Sequence, residues 1–205
     1  MRRLACLAAA VVVLQVSLAQ AAGVSTDPKQ APAGAYQIEP RHTVVLFAIA
    51  HLGLTDYYGR FEKTSGTLNF TPGAPEKSAV SVTIDTSSVN VPNSELMGEL
   101  ASADVFDAAK FPQATFISTS LERTGPASGK MTGDLTIHGV TKPVTFEVTF
   151  NGGAASPMGP GYNLGFHATA MIKRSDFGLD KMRWTGFVGD DVKLIIEALF
   201  QKQKG

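Results

Sequence analysis

Alternation of apolar and polar side chains with a period of two recurs along most of this chain, the pattern of strands that turn one face to a core and the other to water. It is cleanest in Val80-Ser81-Val82-Thr83-Ile84-Asp85. Met131, Leu135 and Ile137 alternate with Thr132, Asp134, Thr136 and His138, and Phe146, Val148 and Phe150 alternate with Thr145, Glu147 and Thr149. His138-Gly139 joins these last two runs closely enough to predict a hairpin and antiparallel pairing. Leu194, Ile196 and Phe200 keep the even spacing, while Ile195 and Leu199 predict that the last strand is covered on both faces. Thr43 to His51 is apolar on both parities, which predicts an outer cover, with a helix as the obvious one. The one helical pattern spans Asn93 to about Lys110, with Asn93 or Ser94 as cap and Leu96 and Leu100 on one face. Eight or nine strands and one helical insertion follow. An all-β antiparallel barrel of about eight strands removes every sheet edge, and a β-sandwich is the main alternative.

The amino terminus departs from this pattern. Arg2 and Arg3 precede an apolar run from Leu4 to Leu14, and Ala19-Gln20-Ala21 supplies a small-x-small site. That reads as an export signal over residues 1–21, cleaved after Ala21 or Ala22, because about 11 apolar residues fall short of the roughly 20 that span a bilayer. Residues 22–35 are rich in Ala, Gly, Ser, Thr, Pro and Gln and are expected to form a flexible lead-in. The folded domain is expected over 36–201. Cys6, the single cysteine, falls inside the leader, so the mature domain relies on its core and not on disulfides. Removing Arg2 and Arg3 from 18 basic residues leaves 16 against 18 acidic ones. With no basic block, nucleic acid is not an expected partner.

Chemistry is sparse. His42, His51, His138 and His167 do not pair at zinc-ligand spacing, so neither a metal nor a cofactor is expected. The stretch from Gly159 to Gly165 lacks the spacing and context of a nucleotide loop and reads as a loop opening a strand. Glu95 and Glu99 share a helix face, which reads as a solvated surface and not as an acid/base pair. His51 ends an apolar strand, where its ring either points into a barrel mouth or is buried and satisfied by backbone. Twelve Phe against one Trp and four Tyr fit a packed core or a lined lipid tunnel equally well.

Five ordered blocks carry a family resemblance. They are 36–43 with 47–61 (containing His51-Leu52-Gly53-Leu54 and Gly59-Arg60-Phe61), Ser102 to Asp107, Lys110 to Phe116, Gly133 to Val144, and Ile172-Lys173-Arg174-Ser175-Asp176-Phe177-Gly178. Across about Tyr36 to Gln201 the chain resembles the YceI-like family of exported proteins. The resemblance implies a lipocalin-like antiparallel barrel whose elongated cavity binds a polyisoprenoid, as polyprenyl phosphate or isoprenoid quinone, without catalytic residues. Where many members carry Asp-x-His-Leu this chain has Met97-Gly98-Glu99-Leu100, so a polar contact from that histidine does not carry over.

The expected role is therefore a non-enzymatic periplasmic carrier. Its expected liners are Phe47 and Ile49, Val82 and Ile84, Phe116, Leu135 and Ile137, Phe146, Val148 and Phe150, with Leu96 and Leu100 as a lid. His51, Arg60 and Lys142 are the candidates for the ligand's polar end. Transient contact with membrane proteins and a homodimer are further expectations. A filled barrel acting as an interaction module, or an enzyme acting on a bound lipid, are the rival readings.

Overall fold

The computed structural model describes residues 23–157, 159–181 and 185–202. The export-signal reading, on residues 1–21, lies outside them. The alternating runs become eleven strand segments: β1 (Gly34–Ile38), β2 (Val44–His51), β3 (Thr55–Phe61), β4 (Thr64–Phe70), β5 (Ala79–Asp85), β6 (Val89–Asn90), β7 (Gln113–Arg123), β8 (Ser128–Ile137), β9 (Val140–Ala155), β10 (Tyr162–Lys173) and β11 (Val188–Lys202).

Their register turns eleven segments into eight strands. β11 pairs first with β1, Phe200 opposite Ile38, and then with β2, Glu197 opposite Val44, so β1 and β2 are halves of one broken strand. β4 and β3 pair with these halves in turn, and β5 and β6 pair with β4 and β3. From there β7, β8, β9, β10 and β11 follow in order, every pairing is antiparallel, and the contact of β11 with β1 closes the barrel. The sandwich alternative is thereby set aside.

The three breaks lie side by side, and local polar groups hold each one. In the first, Leu199 donates its N–H to Thr43 Oγ1 at 3.1 Å and accepts from the Glu39 N–H at 2.8 Å. In the second, the Lys63 N–H donates to Ser88 Oγ at 3.0 Å. In the third, the Asp85 carboxylate accepts from the Ser87 N–H at 2.9 Å, and fully buried Thr86 donates to the Phe111 carbonyl at 2.7 Å. Side-chain oxygens of this kind compete with the ladder for backbone partners, which is why short polar residues mark the interruptions.

The hairpin at His138-Gly139 forms as the sequence predicts, with both residues at positive φ, 51° and 75°, as a two-residue turn requires. Two expectations about helices are corrected. The helix is shorter than its pattern: α1 (Ser94–Ala101) is capped by Asn93 and ends where Ser102 turns extended and its Oγ donates to the Glu99 carbonyl. Beyond it, turns through Asp107 (φ 45°) replace the rest of the expected helix, to about Lys110, because Ser and Asp favour such local bonding over helix. Among the described residues, no helix covers the outer side of β2. α1 packs against β6 and points Leu96 and Leu100 inward, Val44 is exposed, and Ala48 is buried with Tyr58 and Lys193 as its cross-strand neighbours.

The lead-in is also corrected, since residues 23–33 lie against the barrel. Ser25 exchanges two backbone bonds with Gly153, at 2.9 and 2.8 Å, Ala31 is buried, and Tyr36 donates its hydroxyl to the Pro32 carbonyl at 2.6 Å. The absent side chain of Gly152 makes room, because a Cβ there would stand 2.7 Å from Val24. Burial, with a smaller push from Tyr162, lifts the Tyr36 hydroxyl to about 12, so it stays a donor at any physiological pH.

Candidate functional site: a lumen through the barrel

Apolar residues pack as two clusters, one per barrel end. Leu100, Val105, Phe146, Phe177 and Leu179 anchor the end beneath α1, and Tyr36, Leu68, Phe70, Leu164 and Phe200 the other. Between and within them runs a cavity of about 810 Å³. Ligand pockets usually enclose about 300–1,000 Å³. Every phenylalanine except Phe111 and Phe177 borders it, which decides the reading of the phenylalanine-rich composition in favour of a lined tunnel. The filled barrel is not what the structure shows.

Glycines set where two of the rings lie. A Cβ at Gly59 would stand 2.2 Å from Phe47 Cζ, and one at Gly133 would stand 2.4 Å from Phe116 Cζ, so each ring lies flat over a strand instead of crossing the lumen. Edge-to-face pairs hold others against the wall, such as Phe116 with Phe146 at 5.1 Å between centroids.

The structure brings the expected liners together. Phe47, Ile49, His51, Val82, Ile84, Leu96, Leu100, Phe116, Leu135, Ile137, Phe146, Val148 and Phe150 all border the cavity. His51 is exposed at the mouth, which removes the buried, backbone-satisfied alternative for it. Arg60 and Lys142 do not border the cavity. Arg60 stands opposite outward-facing Leu46 and is paired with Glu62 at 2.8 Å, because its parity on β3 directs it away from the lumen. Lys142 is exposed on β9 close to the hairpin, opposite Leu135, and its side chain is not part of the lining.

Other lining groups were missed by sequence reasoning. Leu68 and Phe70 repeat at even spacing on β4, a signal that could have found them, whereas Pro28 and Lys29 lay in the segment excluded from the fold. Glu95 and Glu99, read as a solvated face, border the cavity at its α1 end. Arg174 borders it there too, but is buried and spans loop carbonyls: Nη1 donates to Leu179 at 2.7 Å and Nε to Gly189 at 2.8 Å. Its motif is thus architectural, with Phe177 filling the core and Gly178 (φ 70°) turning the chain back. Lys29 and Arg123 border the opposite end, where Arg123 also donates to carbonyls, of Gly125 and Pro126. Tyr57 lies in the wall with its hydroxyl buried and unpaired among the described residues. Among those residues, no three His, Cys, Asp or Glu side chains converge as metal ligands.

Comparison with known proteins places this architecture. Residues 36–200 match the model of the YceI-like domain. A UPF0312 protein of Pseudomonas putida is 43% identical over 152 residues, covering 73% of this chain and 79% of the relative. Among solved structures, the YceI protein of Campylobacter jejuni superposes with a TM-score of 0.68 at 32% identity, covering 76% of this chain and 91% of that one. BcnA of Burkholderia cenocepacia gives 0.71 at 27% identity, over 79% and 98%. A polyisoprenoid-binding domain from Saccharophagus degradans shares the fold with a TM-score of 0.63 at 14% identity, over 84% of this chain and all of that one.

Proposed function

The chain belongs to the YceI-like family, and on that premise we propose that it is an exported, non-enzymatic carrier whose barrel holds one long polyisoprenoid lipid, as polyprenyl phosphate or isoprenoid quinone. The observation that carries this reading is the cavity of about 810 Å³, walled by phenylalanine and aliphatic side chains along the inside of the barrel. A slender apolar chain gains about 25 cal/mol for each Å² it withdraws from water, and the lumen offers that burial without a strong polar anchor. A relative in fold, the Saccharophagus degradans domain, is described as polyisoprenoid-binding, which supports the same ligand class. The lipid is cargo, so the role requires burial and release and no bond making. Export to the periplasm rests on the leader pattern of Arg2-Arg3, Leu4 to Leu14 and Ala19-Gln20-Ala21.

The test is mass spectrometry of the protein isolated with its leader intact in a Gram-negative host. One intact long-chain isoprenoid per barrel is expected on solvent extraction. A protein without lipid, or one holding only truncated or chemically altered lipid, would overturn the carrier reading. In the same preparation the amino terminus should be Ala22 or Gly23 and the protein should be in the soluble periplasmic fraction, whereas recovery on membranes with residues 1–21 attached would refute export by cleavage.

A further inference from the structure

At the α1 end of the barrel, large apolar side chains face water where the lumen opens. Leu52 is 54% exposed, Leu54 80% and Phe187 57%. They form one patch, because the Leu52 N–H donates to the Phe187 carbonyl at 2.8 Å and the Leu54 N–H to the His51 carbonyl at 3.0 Å. The patch is continuous with the cavity, since Phe187 and His51 each border the lumen while standing at the rim.

Two physical costs meet in these few residues. Leu52 holds φ at 56°, and Gly53 follows at 69°, a turn geometry that favours Asn-Gly and strains a leucine. Exposing Leu52 and Leu54 to water adds the hydrophobic penalty. A hairpin tip that met only water would be better served by polar residues on both counts.

We propose that this rim is a portal that docks on the surface of a lipid bilayer, with Leu52, Leu54 and Phe187 entering the interface so that an isoprenoid chain passes into the lumen without crossing water. The proposal rests on the carrier reading for its cargo. Among the described residues that line the lumen at this end, the charged side chains are Glu95, Glu99 and Arg174, and the Arg174 guanidinium is committed to loop carbonyls. Docking therefore draws on apolar burial and not on attraction to anionic headgroups, unlike the surface-charge mode of many peripheral proteins.

Flotation with vesicles of phosphatidylcholine, and with vesicles carrying phosphatidylglycerol, tests this on the mature protein. Wild type should float with the zwitterionic vesicles about equally well in low and high salt. The double variant Leu52→Asn/Leu54→Asn, whose positions do not border the cavity, should bind roughly tenfold more weakly or worse. It should keep its fold, by circular dichroism, and the lipid it acquired before isolation. Ile117→Asn, which removes an equally exposed side chain on β7, should bind vesicles as wild type does. Equal binding by the double variant, binding only to anionic vesicles that salt abolishes, or no vesicle binding at all would each overturn the portal. Lipid content is read separately: a lipid-loaded protein that ignores vesicles refutes the portal alone, and an empty one that docks refutes the carrier alone.

Discussion

Tyr57 illustrates how a single atom can run against its surroundings. Its ring packs in the apolar cluster beneath α1, yet its hydroxyl is buried with no partner among the described residues. Such a group forfeits its bonds to water without replacement. Tyr57→Phe keeps the ring and removes the cost, so it should raise stability by about 1 kcal/mol in denaturant unfolding; a loss of stability would show that the hydroxyl is satisfied in solution. Glu39 is the opposite case. Partial burial pushes its carboxyl up, but hydrogen bonds from Arg41 and His42 and the Arg41 charge outweigh this and hold it at about 2, against an ordinary 4.5. A carboxyl depressed in the folded state stabilises above the unfolded value and loses that contribution as pH falls from about 4.5 toward 2. Glu39→Gln should therefore unfold less steeply with acid across that window while differing from wild type by a constant amount above it, measured as denaturation midpoints against pH.

At the scale of elements, the unusual feature is a strand that stops and resumes. Between β1 and β2 the ladder to β11 is bridged by one side chain, Thr43, whose Oγ1 accepts the Leu199 N–H at 3.1 Å and donates to the Leu199 carbonyl at 3.4 Å. Thr43→Val has nearly the same shape but no oxygen. It should cost about 1–3 kcal/mol, the range for a buried donor left unpaired, whereas Thr43→Ser should retain most of the stability. Faster amide exchange at Leu199 in the valine variant would locate the damage; unchanged exchange there would mean that the break is held by Glu39 alone. The break was not legible in the sequence, since residues 39–43 read equally well as a loop between independent strands. Only their common partner, β11, reveals one interrupted strand.

For the whole molecule, the decisive property is that the lumen is not filled. Val148 stands in the wall on β9, opposite Gly129, and borders the cavity. Val148→Phe should project extra volume into ligand space, lowering retained isoprenoid severalfold with little change in thermal midpoint. In a close-packed interior the same change would cost about 1–3 kcal/mol through strained rotamers and backbone shifts. Thr149→Phe points outward and is the control, expected to alter neither property much. A destabilised Val148→Phe protein that keeps its lipid would refute the tunnel along β9.

Strand identity, strand faces and the apolar character of the interior were legible because alternation is a local property: each run carries its inward parity in its own residues. That is why Phe47, Val82, Phe116 and Val148 could be assigned to one surface before any pairing was known, and all four border the lumen. The docking of residues 23–33 and the shared level of the three breaks are properties of register, which joins residues such as Ile38 and Phe200 from opposite ends of the chain. Whether inward phenylalanines meet or leave a channel was likewise decided by tertiary structure alone. The width of a closed sheet follows from strand number and stagger, and the rings over Gly59 and Gly133 lie against the wall only because those glycines sit beneath Phe47 and Phe116 in the folded register.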